Sequence, residues 1–309
     1  MRRTVAVLLL LVVAALAGAV GADAGKHGQR PASTYTIPGD SVFPEGVGYD
    51  GRKSLYVSST GDGTIFRGTI GRRTLTPFLP AGGDGRTTAV GVKATRDRIY
   101  VAGGATGLIW IYDAHSGALV RRFDTGAGGF LNDLAVTRDG KVYVTDSMHP
   151  YVFRVDGPNV EQFLTLGPDA GYDGGMGFKW NGIAATRDGR TLIAVHSTNG
   201  ALYRVDVAAR RVTKIDTGAA DLKNGDGIVL EGSTLYVVRN QNELIVKLEL
   251  NRSLTRARQV RSLTDPSFMY PTTVALAKGR LIVVNSQFDR RSAGQPPELP
   301  FTLSSIKRP

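Results

Sequence analysis

Four short phrases in this 309-residue chain put an oxygen donor just ahead of an apolar run: Glu45 in PEGVGY, Asn132 in FLNDLAV, Asn181 in WNGIAA and Asp226 in GDGIVL. A fifth, PTTVAL, has Thr272 in the same place, and a sixth has Ala89 or Val90 there. Two carboxylates and two carboxamides, with no cysteine or histidine among them, form a donor set for a hard cation. Ca²⁺ fits best, because it accepts about six to eight oxygens in loose geometry and lets water complete the shell. Mg²⁺ and Mn²⁺ take the same donors, whereas zinc prefers nitrogen and sulfur. Like charges roughly 4 Å apart repel by several kcal/mol at an effective dielectric constant of about 20, so a converged set needs something positive in it. Any one of these residues can instead cap a turn by bonding nearby backbone. Four at equivalent places in a repeat favour the metal.

The places are equivalent because the chain repeats. A small or apolar head, a polar turn and an apolar strand recur as GVGYDGRKSLYVSS from Gly46, GVKATRDRIYVAG from Gly91 and LAVTRDGKVYVTDS from Leu134. The series continues as GIAATRDGRTLIAVHS from Gly182, GIVLEGSTLYVVRN from Gly227 and VALAKGRLIVVNS from Val274. The strand centres Tyr56, Tyr100, Tyr143, Ile193, Tyr236 and Ile282 are 44, 43, 50, 43 and 46 residues apart. Each of the first five phrases is followed by a third strand (TIFRGTI, LIWIYDA, YVFRVDG, ALYRVDV, ELIVKLEL) and a fourth (TLTPFLP, ALVRRFDT, VEQFLTL, RVTKIDT, ARQVRSL). Four short antiparallel strands per unit of about 45 residues predict an all-β fold, a six-bladed β-propeller over residues 33–309. Asp139-Gly140 and Asp188-Gly189 suit the positive-φ positions of tight hairpins.

The sixth unit lacks its own fourth strand, since PFTLSSI supplies only a third. STYTI, residues 33–37, is expected to complete that blade and close the ring, which removes unpaired edges. No helix of any length is expected. In a propeller the first strand of each blade lines the central channel, so the heads of blades one, three, four and five converge on the axis at one face.

The order and spacing of PEG, N-D, N-G and D-G at these heads, over roughly residues 40–288, resemble the senescence-marker/gluconolactonase (regucalcin-like) family. The resemblance implies a six-bladed propeller with a divalent ion on its axis and, in several members, lactone hydrolysis. It makes Glu45, Asn181 and Asp226 the metal ligands and puts Asn132 where substrate or metal-bound water is contacted. In the related paraoxonase-type lactonases the third-blade Asn is itself a ligand. Sugar lactonases of the family carry an arginine two residues before that Asn, where it holds sugar hydroxyls; this chain has Phe130. The change swaps five donors for an apolar ring and points to a ligand less polar than gluconolactone.

For a lactonase, the ion polarises the carbonyl and stabilises the oxyanion while water attacks. Asp226 is then the candidate base, with His149 and His196, after the second strands of blades three and four, as alternatives. Asn132 and Thr272 are expected to reach substrate, and Phe130 and Trp180 to form apolar walls. Asp146, Asn240 and Asn285, at the ends of other second strands, are rim positions on the same argument. His115 falls in a turn. The rival reading is a non-catalytic exported propeller that binds a ligand or partner, its axial metal structural. A metal-free synthase resembling strictosidine synthase is a third, against which the retained oxygen cluster argues.

Ahead of the repeats, Arg2 and Arg3, an apolar stretch over residues 5–20 and Ala22-Asp23-Ala24 read as a secretory signal peptide, residues 1–24, followed by a flexible tail, 25–32. The stretch is shorter than the about 20 residues a membrane span needs and has no later counterpart, so no stable span is expected. The absence of cysteine excludes disulfides, thiol catalysis and a lipid-modified cysteine. The formal charge of +11 falls by one on removal of two arginines and an aspartate with residues 1–24. The basic residues are scattered singly and in pairs beside turns, without the clustered stripe and stacking aromatics of a nucleic-acid binder. They suit electrostatic association with an anionic cell envelope. No G-x-S-x-G, H-E-x-x-H or P-loop occurs, and the glycine-rich GAGGF and GGDG lack strand–helix context.

Overall fold

The computed structural model describes residues 33–126, 128–175 and 177–309, and in it the strands form six four-stranded antiparallel sheets. The expected signal peptide and tail lie outside the described residues. The inner strands are Pro44–Tyr49, Val92–Ala94, Leu131–Val136, Trp180–Ala185, Gly225–Glu231 and Pro271–Ala277. Each contacts the next in chain order, and the last contacts the first, which closes the ring. Blade six is completed as expected: Ser33–Ile37 pairs antiparallel with Phe301–Lys307, from Ser33 opposite Ser305 to Ile37 opposite Phe301. Its alternation is that of a half-buried strand, with Tyr35 and Ile37 in the core.

Blades hold together through the apolar faces they turn to one another. Tyr56, Ile65 and Leu79 of blade one, for example, pack on Ile99, Val101, Trp110 and Tyr112 of blade two. Each side chain buried this way contributes on the order of 1.5–3 kcal/mol. Gly140 (φ +84°) and Gly189 (φ +69°) supply the left-handed conformation in the two TRDG turns, beside Thr137 and Thr186, whose hydroxyls bond Asp139 and Asp188.

The inner strands share an irregularity that the sequence does not display. In blade three Leu131 pairs with Asp146 and Leu134 with Val144, so three steps on one strand face two on the other. The same extra residue occurs between Pro44 and Val47, Trp180 and Ile183, Gly225 and Ile228, and Pro271 and Val274. These β-bulges contain Glu45, Asn132, Asn181, Asp226 and Thr272, and a bulge re-aims the side chain it carries. Blade two, whose head has no oxygen donor, has a three-residue inner strand in unbroken register. The glycine that follows the donor has a steric reason: a Cβ on Gly182 would stand 2.2 Å from the Asp226 carbonyl oxygen, and one on Gly46 2.5 Å from Val92 N.

The two longest connections rise on the face that carries the bulges. One, residues 166–179, joins blades three and four and accounts for the 50-residue spacing. The other, residues 286–300, joins the second and third strands of blade six and contains the single α-helix of the described residues, Phe288–Ser292. No helix among the described residues is long and apolar enough to cross a membrane.

Candidate metal centre

A cavity of about 700 Å³ opens on the axis, with Glu45, Asn132, Asn181 and Asp226 among its lining residues. All four side chains are buried. How the amides face follows from their neighbours. Ser147 Oγ donates to the Trp180 carbonyl (2.7 Å) and Ser197 Oγ to the Gly225 carbonyl (2.6 Å). Each hydroxyl has then spent its proton and can only accept. Asn132 therefore turns Nδ2 to Ser147 (2.9 Å) and Asn181 turns Nδ2 to Ser197 (3.2 Å). Their Oδ1 atoms are left buried without a partner, and so is Glu45 Oε2. Glu45 Oε1 accepts from Thr273 (3.3 Å), and Asp226 Oδ2 from Asn240 Nδ2 (3.0 Å).

Buried acceptors without donors are rare, and each costs desolvation energy on the order of 1–3 kcal/mol. Three in one cavity, beside a second carboxylate, are the expected donor face of a cation site. Among the described residues no three His, Cys, Asp or Glu side chains gather, so the set stands on amide as well as carboxylate oxygen. Electrostatics agree. Burial, then the Asp226 and Asp133 charges, hold the Glu45 carboxyl well above the usual carboxylate range. Burial likewise pushes Asp226 up to about 7, against the opposing Asn240 bond. Asp133 is already answered: it accepts from Lys93 Nζ (2.8 Å), Leu134 N (2.8 Å) and Ile183 N (3.3 Å). The donors present fit a calcium ion.

The walls are asymmetric. Phe130 and Phe178 line one side with ring centroids 5.0 Å apart. Phe130 is held by its backbone N–H on Asp146 Oδ1 (2.9 Å), an atom that also accepts from Met148 and His149 N–H. Asn240, Tyr270, Phe288 and Arg291 line other parts.

Six sequence-nominated residues are not in the lining: Trp180, Thr272, His196, His149, and the expected rim residues Asp146 and Asn285. Asp146 is fully buried, spent on the N–H groups of Phe130, Met148 and His149. Trp180 is fully buried on the far side of its strand, its indole N–H on the Ala170 carbonyl (2.9 Å) and its ring stacked on Tyr203. Thr272 is also fully buried; its hydroxyl bonds the Glu45 carbonyl (2.8 Å) and so fixes the backbone of that candidate ligand. His196 is buried with Nδ1 accepting from Asn199 N–H (3.3 Å) and Nε2 facing the Gly171 carbonyl (3.2 Å), so both ring nitrogens are engaged. Burial lowers its pKa. His149 has Nδ1 3.7 Å from Asp146 Oδ2 and its ring edge-on to Tyr151. Asp226 is the one candidate base that faces the cavity. Asn285 is buried against Ser267 and Ser304, and His115 is exposed in its turn. Ser147, Ser197 and Arg291 were not singled out for the site in the sequence; the serine after the last paired residue of the second strand in blades three, four and six (Ser147, Ser197, Ser286) was the available signal for the first two.

No family model matches the sequence, and no curated protein matches it. Solved structures do match in fold. The major Malassezia sympodialis allergen Mala s 1 superposes with TM-score 0.68 at 18% identity, over 89% of this chain and 96% of that one. A calcium-binding protein, regucalcin, from Agrobacterium tumefaciens superposes with TM-score 0.62 at 14% identity, over 89% and 97%. Virginiamycin B lyase from Staphylococcus aureus does so with TM-score 0.58 at 9% identity, over 89% and 98%. At such identities the likeness is one of fold alone.

Proposed function

We infer that the chain is an exported, calcium-dependent hydrolase of the lactonase or esterase type. The observation that carries this reading is the trio of buried, unpartnered oxygens, Glu45 Oε2, Asn132 Oδ1 and Asn181 Oδ1, at the base of a cavity large enough for a small molecule. Glu45, Asn132, Asn181 and Asp226 would hold the ion, with water completing its shell; Mg²⁺ or Mn²⁺ could take the same place. That the regucalcin structure is described as calcium-binding supports the choice of metal.

A divalent ion bound there supplies Lewis acidity toward a carbonyl oxygen. The residues around it do the rest. Phe130 and Phe178 seat the apolar part of the substrate and keep water from that side. Water adds its oxygen to the acyl carbon and the C–O bond of the ester or lactone breaks. The proton lost by the water passes to the Asp226 carboxylate and from there to the departing alkoxide. Asn240, bonded to Asp226 Oδ2, holds that carboxylate in place. Phe130, where a sugar lactonase carries arginine, favours aliphatic or aryl lactones over sugar lactones. The partner is thus a small molecule, with no role for nucleic acid. Export would set a positively charged surface beside an anionic cell envelope.

The test is metal analysis paired with a substrate panel. The purified protein should hold about one calcium per chain, and Asn181→Ala or Asp226→Ala should release it. Hydrolysis of aliphatic or aryl lactones should stop with chelator and return with calcium. A full ion complement without turnover of sugar, aliphatic or aryl lactones would leave the ion a structural role in a binding protein. Absence of any ion would remove the reading's foundation.

A further inference from the structure

We propose that the ligand of the axial cavity is an amphipathic carboxylate, its apolar end on the Phe130–Phe178 wall and its anionic group on Arg291. This rests on the hydrolase reading of the same cavity and specifies its substrate class. The two longest connections of the fold both deliver side chains to the lining: one brings Phe178, the other Arg291. They stand across the ring from each other, because blade three faces blade six and blade four faces blade one in a closed ring of six. The buried oxygen donors lie between them.

Among the described residues Arg291 is the single cation in the lining. The contrast with its neighbour is informative. Arg290 is spent on its own loop, with Nη1 on Glu298 (2.8 Å) and Nε on the Pro296 carbonyl (2.8 Å). Arg291 instead lies over the Phe43 ring, 5.0 Å from its centroid, and donates one Nη1–H to Thr60 Oγ1 (2.9 Å). Its remaining donors meet no carboxylate among the described residues. The loop that presents it is clamped by the buried Gln287 side chain, through Nε2 to the Glu298 carbonyl (2.8 Å) and Glu298 N–H to Oε1 (2.6 Å). A guanidinium fixed in position offers a carboxylate charge-assisted bonds with little ordering cost. The base of the cavity is reserved for the ion and the carbonyl to be cleaved, so the anionic group belongs at the exposed rim, where Arg291 stands.

The first experiment needs no turnover. Calcium-loaded full-length protein is titrated calorimetrically with 4-phenylbutyrate and with 4-phenyl-1-butanol. Wild type should bind the acid at least tenfold more tightly. Arg291→Gln should weaken the acid by roughly tenfold to a hundredfold and leave the alcohol and the calcium content unchanged. Arg291→Lys should keep part of the preference, and Phe178→Ala should weaken both probes alike. No preference in wild type, failure of both probes to bind, or a preference that survives Arg291→Gln would each overturn the assignment. The last result would mean that the ion or another group holds the carboxylate. The second experiment compares mono-4-nitrophenyl glutarate with 4-nitrophenyl pentanoate, esters matched in chain length. Wild type should favour the glutarate through KM, and Arg291→Gln should abolish that difference while sparing kcat. If neither ester turns over but the acid preference holds in binding, the hydrolase reading fails and the carboxylate site stands.

Discussion

At the residue scale, the decisive groups are Ser147 and Ser197, which dictate the atom that each asparagine shows to the axis. Each spends its proton on the next blade's backbone and so accepts from Nδ2. Ser197→Ala should free Asn181 to rotate and lower calcium affinity by about tenfold to a hundredfold, as loss of an outer-shell partner generally does. Calcium titration followed by calorimetry checks this; unchanged affinity would mean that packing alone orients the amide. The four donors were legible in the sequence because the repeat puts them in register. Their neighbours were less so, for a simple reason: adjacent residues on a strand point to opposite faces. Trp180, one residue before Asn181, therefore turns into the core, and His196, one before Ser197, turns away from the cavity. Phe130, two before Asn132, stays on the cavity side.

At the element scale, the five bulges do what strand periodicity alone does not. Four of them aim the inserted residue into the cavity and the fifth turns Thr272 onto the Glu45 carbonyl, while the unbroken inner strand of blade two coincides with the missing donor. The existence and order of the strands were readable from apolar alternation and turn residues. The bulges were not, because an extra residue is visible only against the register of the partner strand. The closing strand was readable, since STYTI matched the other fourth strands and blade six lacked one. Ile37 on it is fully buried among Leu75, Phe301 and neighbouring core residues. Ile37→Ala should cost about 2–5 kcal/mol of stability, measured by urea denaturation. A loss under roughly 1 kcal/mol would mean that the seam contributes little.

At the scale of the whole molecule, the candidate ion joins blades one, three, four and five, and without it two buried carboxylates share one cavity. Both have folded-state pKa values above their unfolded ones, Asp226 at about 7. A raised carboxyl pKa means that the folded state holds the proton more tightly. The associated stability is fully present below about pH 4 and is lost as pH rises through the folded values. Chelated protein should therefore melt at a lower temperature at pH 8 than at pH 5. Added calcium should remove most of that loss, because a ligand of the native state stabilises it by mass action. Parallel melting curves with and without calcium would contradict the placement of the ion among these carboxylates.

The strand over residues 33–37 has a consequence in time as well as in space. It is made long before the partner it needs, since Phe301–Lys307 is the last strand of the chain. During synthesis the first blades can pair locally, hairpin by hairpin, while this segment has nowhere to go. Ring closure thus waits for residues 301–307 and joins strands far apart in the sequence, and loops of that length close at an entropic cost that grows only slowly with size. A nascent chain stopped short of residue 301 would carry two bare strand edges, and it is that species, rather than the finished ring, that would need a chaperone.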